Sequence, residues 1–162
     1  MIRHSVRALC AASLVLAPLA LSTPAHAATA CSVNGLTVPS GNVSGTVGRD
    51  YIQCSSVDAG HTVDGLAGDD TIVLTGPVAG RVLGGTGSDY LRFGSLAPLG
   101  GQADAGAGND YVQVDGTVLA AATVRGGDGA DFIRVDVNQG AVDGGASLDF
   151  CQVASGNPAV NC

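Results

Sequence analysis

Glutamate and lysine are missing from this chain: all fourteen acidic residues are Asp and all seven basic residues are Arg. Without Glu, nothing can close an EF-hand loop, whose last ligand is a bidentate glutamate. Together with the general scarcity of strong helix formers, this argues against a helical fold. Histidine is nearly absent too, and beyond residue 27 only His61 remains. With no C-x-x-C pair beside it, a zinc centre is excluded. No serine sits in a nucleophile elbow. Paired carboxylates such as Asp69 and Asp70 would suit a glycosidase, but connectors of six to nine residues are too short to wall a substrate groove. The chain is therefore not expected to be an enzyme. After the first thirty residues no apolar run approaches the roughly 18 residues needed to span a bilayer.

Residues 1–27 have the layout of a secretion signal peptide. Arg3 and Arg7 form a basic start, Leu9 to Leu21 an apolar stretch broken by Pro18, and Ala25-His26-Ala27 a small-residue cleavage site. Cysteine placement after Ala27 argues against a lipid anchor, because a polar, proline-containing spacer separates Cys31 from the apolar stretch. Loss of two arginines on cleavage takes the net charge from -7 to -9. An acidic exported chain is a poor partner for nucleic acid and a good one for cations. Four cysteines remain, and their positions predict two local disulfides, Cys31 with Cys54 and Cys151 with Cys162. Each loop contributes roughly 3 kcal/mol in the chain-entropy model. Staples at both ends are expected to resist fraying and to discourage end-to-end stacking.

What the chain has in abundance is glycine, 25 residues of it, and a twelve-residue phrase written six times. The copies are VSGTVGRDYIQC (43–54), VDGLAGDDTIVL (63–74), VLGGTGSDYLRF (82–93), ADAGAGNDYVQV (103–114), VRGGDGADFIRV (124–135) and VDGGASLDFCQV (142–153). Their eighth place is always aspartate: Asp50, Asp70, Asp89, Asp110, Asp131 and Asp149. A constant phrase with connectors of varying length is the mark of stacked coils. After each aspartate the residues alternate, giving two apolar columns: Ile52, Ile72, Leu91, Val112, Ile133, Cys151, and Cys54, Leu74, Phe93, Val114, Val135, Val153. Period two with β-branched residues means a short strand. The opening residues Val43, Val63, Val82, Ala103, Val124 and Val142 form a third inward column on a second strand. Each coil is then two short strands joined by two turns, and glycine concentrates in the turn before the aspartate, where positive φ is needed.

At this turn the sequence resembles the hemolysin-type (RTX) calcium-binding repeat family, whose pattern is G-G-x-G-x-D-x-U-x with U a large apolar residue. GGTGSDYLR (84–92) and GGDGADFIR (126–134) match in full; AGAGNDYVQ (105–113) and GLAGDDTIV (65–73) each miss one glycine, and GTVGRDYIQ (45–53) and GGASLDFCQ (144–152) are weaker. The resemblance implies an all-β, parallel β-roll or β-solenoid of about six coils, with Ca²⁺ between successive turns held by backbone carbonyls and aspartate. Carried onto this chain, it makes Asp70, Asp89, Asp110 and Asp131 the inner metal ligands and Asp50 and Asp149 weaker outer ones. The opposite turns lack the motif, so one calcium-binding turn per coil is expected. Domain limits follow: an N-terminal cap over 28–42, the roll over 43–153 and a C-terminal cap over 154–162.

Electrostatics points the same way. Carboxylates about 5 Å apart repel by roughly 1 kcal/mol in water and roughly 3 at an effective dielectric of 20. A row of six therefore asks for neutralisation, and flexible all-oxygen ligation suits Ca²⁺ better than Mg²⁺. The competing reading is a metal-free solenoid whose aspartates only bond turn amides. A further outward column follows the aspartates directly: Tyr51, Thr71, Tyr90, Tyr111, Phe132 and Phe150. Such a ladder either stabilises neighbouring coils, at about 0.2–1 kcal/mol per pair, or offers a platform for a cell-envelope polysaccharide or protein partner. The expected function is accordingly a secreted, extracellular calcium-ion-binding protein of structural or interaction role, with an adhesin or carbohydrate-binding module as the alternative.

Overall fold

The computed structural model describes residues 30–95 and 98–162; the expected signal peptide lies outside them. Within them the chain is all-β and coils about six times into a solenoid with two parallel faces. The first face follows the aspartates. It holds β1 (Cys31–Val33), β2 (Leu36–Val38), β4 (Tyr51–Cys54), β6 (Thr71–Leu74), β8 (Tyr90–Phe93), β10 (Tyr111–Val118), β12 (Phe132–Asn138) and β14 (Phe150–Gly156), in the order β14-β12-β10-β8-β6-β4-β1-β2. The second holds β3 (Val43–Ser44), β5 (Thr62–Asp64), β7 (Arg81–Thr86), β9 (Gln102–Ala107), β11 (Thr123–Asp128) and β13 (Ala141–Ala146), in the order β13-β11-β9-β7-β5-β3.

Register follows the repeated phrase. Ile52 pairs with Ile72, Ile72 with Leu91, Leu91 with Val112, Val112 with Ile133 and Ile133 with Cys151. A slip by one residue would turn each apolar column to solvent. The columns face each other across one thin core in which Ile52, Ile72, Leu91, Phe93, Val112, Val82 and Val124 are fully buried. Each such side chain contributes about 1.5–3 kcal/mol by leaving water.

A third ladder extends the expected plan of two strands and two turns. In the turn opposite the aspartates, Val57, Val78, Leu99 and Val118 pair in parallel, coil upon coil, and all four are buried. In the next coil Asn138 pairs with Val118 and is fully buried. Its side-chain amide donates to the carbonyl of Asn157 in the last coil at 2.9 Å, and its oxygen accepts the N–H of Gly140, two residues on, at 3.0 Å, so the buried polar group is satisfied.

The N-terminal cap is a hairpin: β1 and β2 pair antiparallel, and β1 pairs antiparallel with β4. Asn34 and Gly35 form its turn with φ of 52° and 80°, the left-handed pair that two-residue hairpins favour. Both expected disulfides are present, Cys31–Cys54 and Cys151–Cys162. At the C-terminus the tail returns to the second face, where Val160 bridges Asp143.

Candidate metal centre in the aspartate turn

Every coil delivers its aspartate to the inside of the glycine turn. Asp50, Asp70, Asp89, Asp110 and Asp131 are 1–3% exposed, a degree of burial that carboxylates rarely reach without partners. One oxygen of each is accounted for by the neighbouring coil. The Asp50 N–H donates to Asp70 Oδ1 at 2.8 Å, Asp70 to Asp89 at 2.8 Å, Asp89 to Asp110 at 2.7 Å, Asp110 to Asp131 at 2.8 Å and Asp131 to Asp149 at 2.8 Å. The result is a chain of amide-to-carboxylate bonds along the rod, each about 1.5–3 kcal/mol because the acceptor is charged.

The second oxygen is different. Oδ2 of Asp70, Asp89, Asp110, Asp131 and Asp149 is shielded from solvent and has no hydrogen-bond partner. In most coils it lies against a glycine of the turn; at Asp110 that place is held by the buried Ala105. A Cβ on Gly84 would stand 2.6 Å from Asp89 Oδ2 and closer still to the carbonyl oxygen of Ala105, one coil on. The same pair of oxygens, one carboxylate and one carbonyl of the following coil, crowds Gly65 and Gly126. A carboxylate oxygen without a hydrogen-bond partner and a backbone carbonyl thus lie against the same glycine. Burial pushes the Asp110 carboxyl up to about 7 and that of Asp70 up to about 6, with the neighbouring aspartates adding to the rise; Asp89 and Asp131 are raised for the same first reason.

Asp50 is the exception. Its Oδ2 accepts the Thr46 N–H at 2.6 Å and the Thr46 hydroxyl at 2.9 Å, and its Oδ1 accepts the Asn34 side-chain amide at 2.6 Å. Burial pushes this carboxyl up, but the three donors outweigh it and hold the group below the ordinary carboxylate value. Neither Asn34 nor Thr46 stands out in the sequence as a site residue. The available signal was Thr46 itself, alone in a place that holds Leu66, Gly85, Gly106, Gly127 and Gly145 in the other copies. All five of those have positive φ, whereas Thr46 does not.

An ion at this turn would meet oxygen alone. Among the described residues no group of three or more His, Cys, Asp or Glu side chains gathers to hold a metal, since the row supplies one carboxylate per coil. Carbonyls must complete any coordination, which fits a hard cation such as Ca²⁺ and not a thiolate- or imidazole-seeking one. The orphaned Oδ2 atoms and the carbonyls beside them fit that requirement in the inner coils. In the first coil Thr46 and Asn34 already fill it.

The aromatic column stacks on the outer surface. Ring centroids lie 5.3 Å apart for Tyr90 and Tyr111, 4.9 Å for Tyr111 and Phe132, and 5.0 Å for Phe132 and Phe150, the last two pairs being stacked with interplanar angles of 10° and 21°. Tyr51 stands outside the run because Thr71 lies between it and Tyr90. Tyr90 also donates its hydroxyl to Gln113 at 3.1 Å, and Arg92 pairs with Asp115 at 3.0 Å. Comparison with protein-family models, curated proteins and solved structures finds no match to this chain.

Proposed function

We propose that this is a secreted calcium-ion-binding β-solenoid in which Ca²⁺ stabilises the coil stack, and that its role is structural. The observation that supports the reading is the set of five buried Oδ2 atoms without a hydrogen-bond partner, four of which, those of Asp70, Asp89, Asp131 and Asp149, crowd the same glycine as a backbone carbonyl. A buried carboxylate oxygen left unpaired costs at least about 1–3 kcal/mol, and five in a row would rival the whole net stability of a domain, about 5–15 kcal/mol. The ligands are Asp70, Asp89, Asp110, Asp131 and Asp149 with turn carbonyls between them. Bound Ca²⁺ would supply the positive charge that these oxygens lack, and it accepts ligation from oxygen alone. The chain itself contributes alignment: the Asp-to-Asp N–H hydrogen bonds fix each Oδ1, and at Asp70, Asp89, Asp131 and Asp149 a glycine leaves room for Oδ2 and a carbonyl together.

Export is supported by the two disulfides, which are compatible with an extracellular protein; among the described residues no helix is long and apolar enough to cross a membrane. The ladder of rings favours the structural role over an adhesin or carbohydrate-binding one. A sugar stacks on a free ring face, and in Tyr111 and Phe132 both faces are turned to neighbouring rings.

Thermal melting followed by circular dichroism tests the calcium reading. With excess calcium the midpoint is expected to rise by about 10 °C or more over its value in chelator, since each ion at a hundredfold its dissociation constant adds about 2.7 kcal/mol. Equal midpoints would refute it.

A further inference from the structure

The two ends of the solenoid are stepped on opposite faces, two strands deep at the N-terminal end and one bridge deep at the C-terminal end. The first face has eight strands and the second six, because β1 and β2 extend the first face by two layers at the N-terminal end. At the C-terminal end the overhang is on the other face, where the Val160 bridge adds a layer beyond β13 while, among the described residues, β14 has no strand outside it. Each end is therefore a step, and the steps are on opposite faces.

Strand direction agrees. β2 runs antiparallel to β1, and β1 antiparallel to β4, so β2 runs parallel to β4 and to every later strand of that face, β14 included. A copy displaced along the rod axis would offer its β2 to β14 in the same parallel sense as the rest of the sheet. The columns also continue. Leu36 pairs with Val33 and Val33 with Ile52, which places Leu36 on the first apolar column, and Val38 stands on the second through Cys31 and Cys54. Leu36 is 74% exposed, an inward-column residue with no second face opposite it. At the other end the same columns finish in Cys151 and Val153, which are only partly covered.

Charge confines association to these ends. All fourteen aspartates and five arginines lie between Arg49 and Asp149, a net charge of -9, while residues 30–48 and 150–162 carry no charged side chain. Open edge strands are ordinarily guarded by charges, by proline or by shortness; β14 has seven residues with no charge and no proline, and β2, three residues long before Pro39, has no charge. The Cys151–Cys162 bond does not close the edge, since the tail it anchors pairs with β13. The acidic flanks repel one another side by side; the neutral ends do not.

We infer that the protein associates head to tail with further copies of itself, β14 of one molecule pairing in parallel with β2 of the next. The contact is heterologous and does not close, so it yields rods of increasing length. It does not depend on the calcium reading.

Analytical ultracentrifugation of the disulfide-bonded protein in excess calcium chloride tests it, with circular dichroism as the check on folding. Weight-average mass should rise about twofold or more over a roughly hundredfold range of concentration. Leu36→Lys with Thr37→Lys blocks one end, and Gln152→Lys with Ala154→Lys blocks the other; all four side chains are exposed, so the fold is retained. Each blocked protein alone should be monomeric, and an equimolar mixture should form dimers and nothing longer. A wild-type mass independent of concentration, a blocked protein that still self-associates, or a mixture that stays monomeric would overturn the inference.

Discussion

The first coil and the inner coils place the same residue in the same turn and give it opposite environments. Asp50 receives three donors from Thr46 and Asn34 and is held below its ordinary protonation range. Asp110 receives one N–H, from Asp89, and is pushed up to about 7. Solvent exposure is shared, so the difference comes from Thr46, with an ordinary φ where the other copies take up the left-handed region, from Asn34 of the hairpin, and from the like charges that flank the inner aspartates. The chain can evidently satisfy a buried aspartate with its own atoms. In the inner coils it does not, which locates where an external cation has something to contribute.

The largest expected effect comes from substituting the inner carboxylate. Asp110→Asn should cost about 3 kcal/mol or more in the presence of calcium, by weakening the ions on either side. In chelator at pH 8 the sign should reverse to a modest gain, because a buried charge is removed while Oδ1 can still accept the Asp89 N–H. Denaturant titration in the two buffers reads both numbers, and a loss of equal size in both would remove the distinction between the coils. Asp50→Asn should instead cost about 1–3 kcal/mol in either buffer, since an amide cannot accept from Thr46 and Asn34 alike.

Proton linkage sharpens the same contrast. Asp70 and Asp110 have folded values raised to about 6 and about 7, so the metal-free folded state binds protons more tightly than the unfolded chain. Their contribution is fully present below the unfolded carboxylate value near pH 4 and is lost as pH rises through 6 and 7. Asp50, with a lowered value, contributes in the opposite sense, above the unfolded value and not below it. The midpoint in chelator should therefore fall between pH 5 and pH 8, and calcium should restore it at pH 8. A midpoint in chelator that climbs over this interval would contradict the assignment.

Smaller effects test the turn itself. Thr46→Ala removes the hydroxyl donor to Asp50 and should cost about 1 kcal/mol, with or without calcium. Leu66 is the non-glycine residue in the left-handed place, at φ 78°, and is 41% exposed. Leu66→Gly should raise stability by about 1 kcal/mol by relieving that strain, measured as a midpoint shift of a few degrees.

Much of the solenoid could be read from residue order because its determinants lie at constant offsets from the aspartate. The columns through Ile52 and Cys54 and the opening residues from Val43 to Val142 obey that rule, whereas the two cysteine pairs were legible from their number and their places at the two ends. The ladder of Val57, Val78, Leu99 and Val118 does not: these stand seven, eight, ten and eight residues after Asp50, Asp70, Asp89 and Asp110, so connector length hides their alignment. The Asn34-Gly35 hairpin was signalled locally but lies outside the repeat. The amide-to-carboxylate chain was invisible for a different reason. Its donors belong to the backbone, and the pairing of Asp70 N–H with Asp89 Oδ1 exists only once the coils are stacked.

That chain of bonds has a consequence for how such a molecule can change size. Each aspartate accepts from the layer beneath and donates to the layer above, so an inserted duplicate of one phrase would find both counterparts waiting and leave the two termini untouched. Rod length is then a quantity that gene duplication can adjust in whole steps, with no renegotiation of the surroundings.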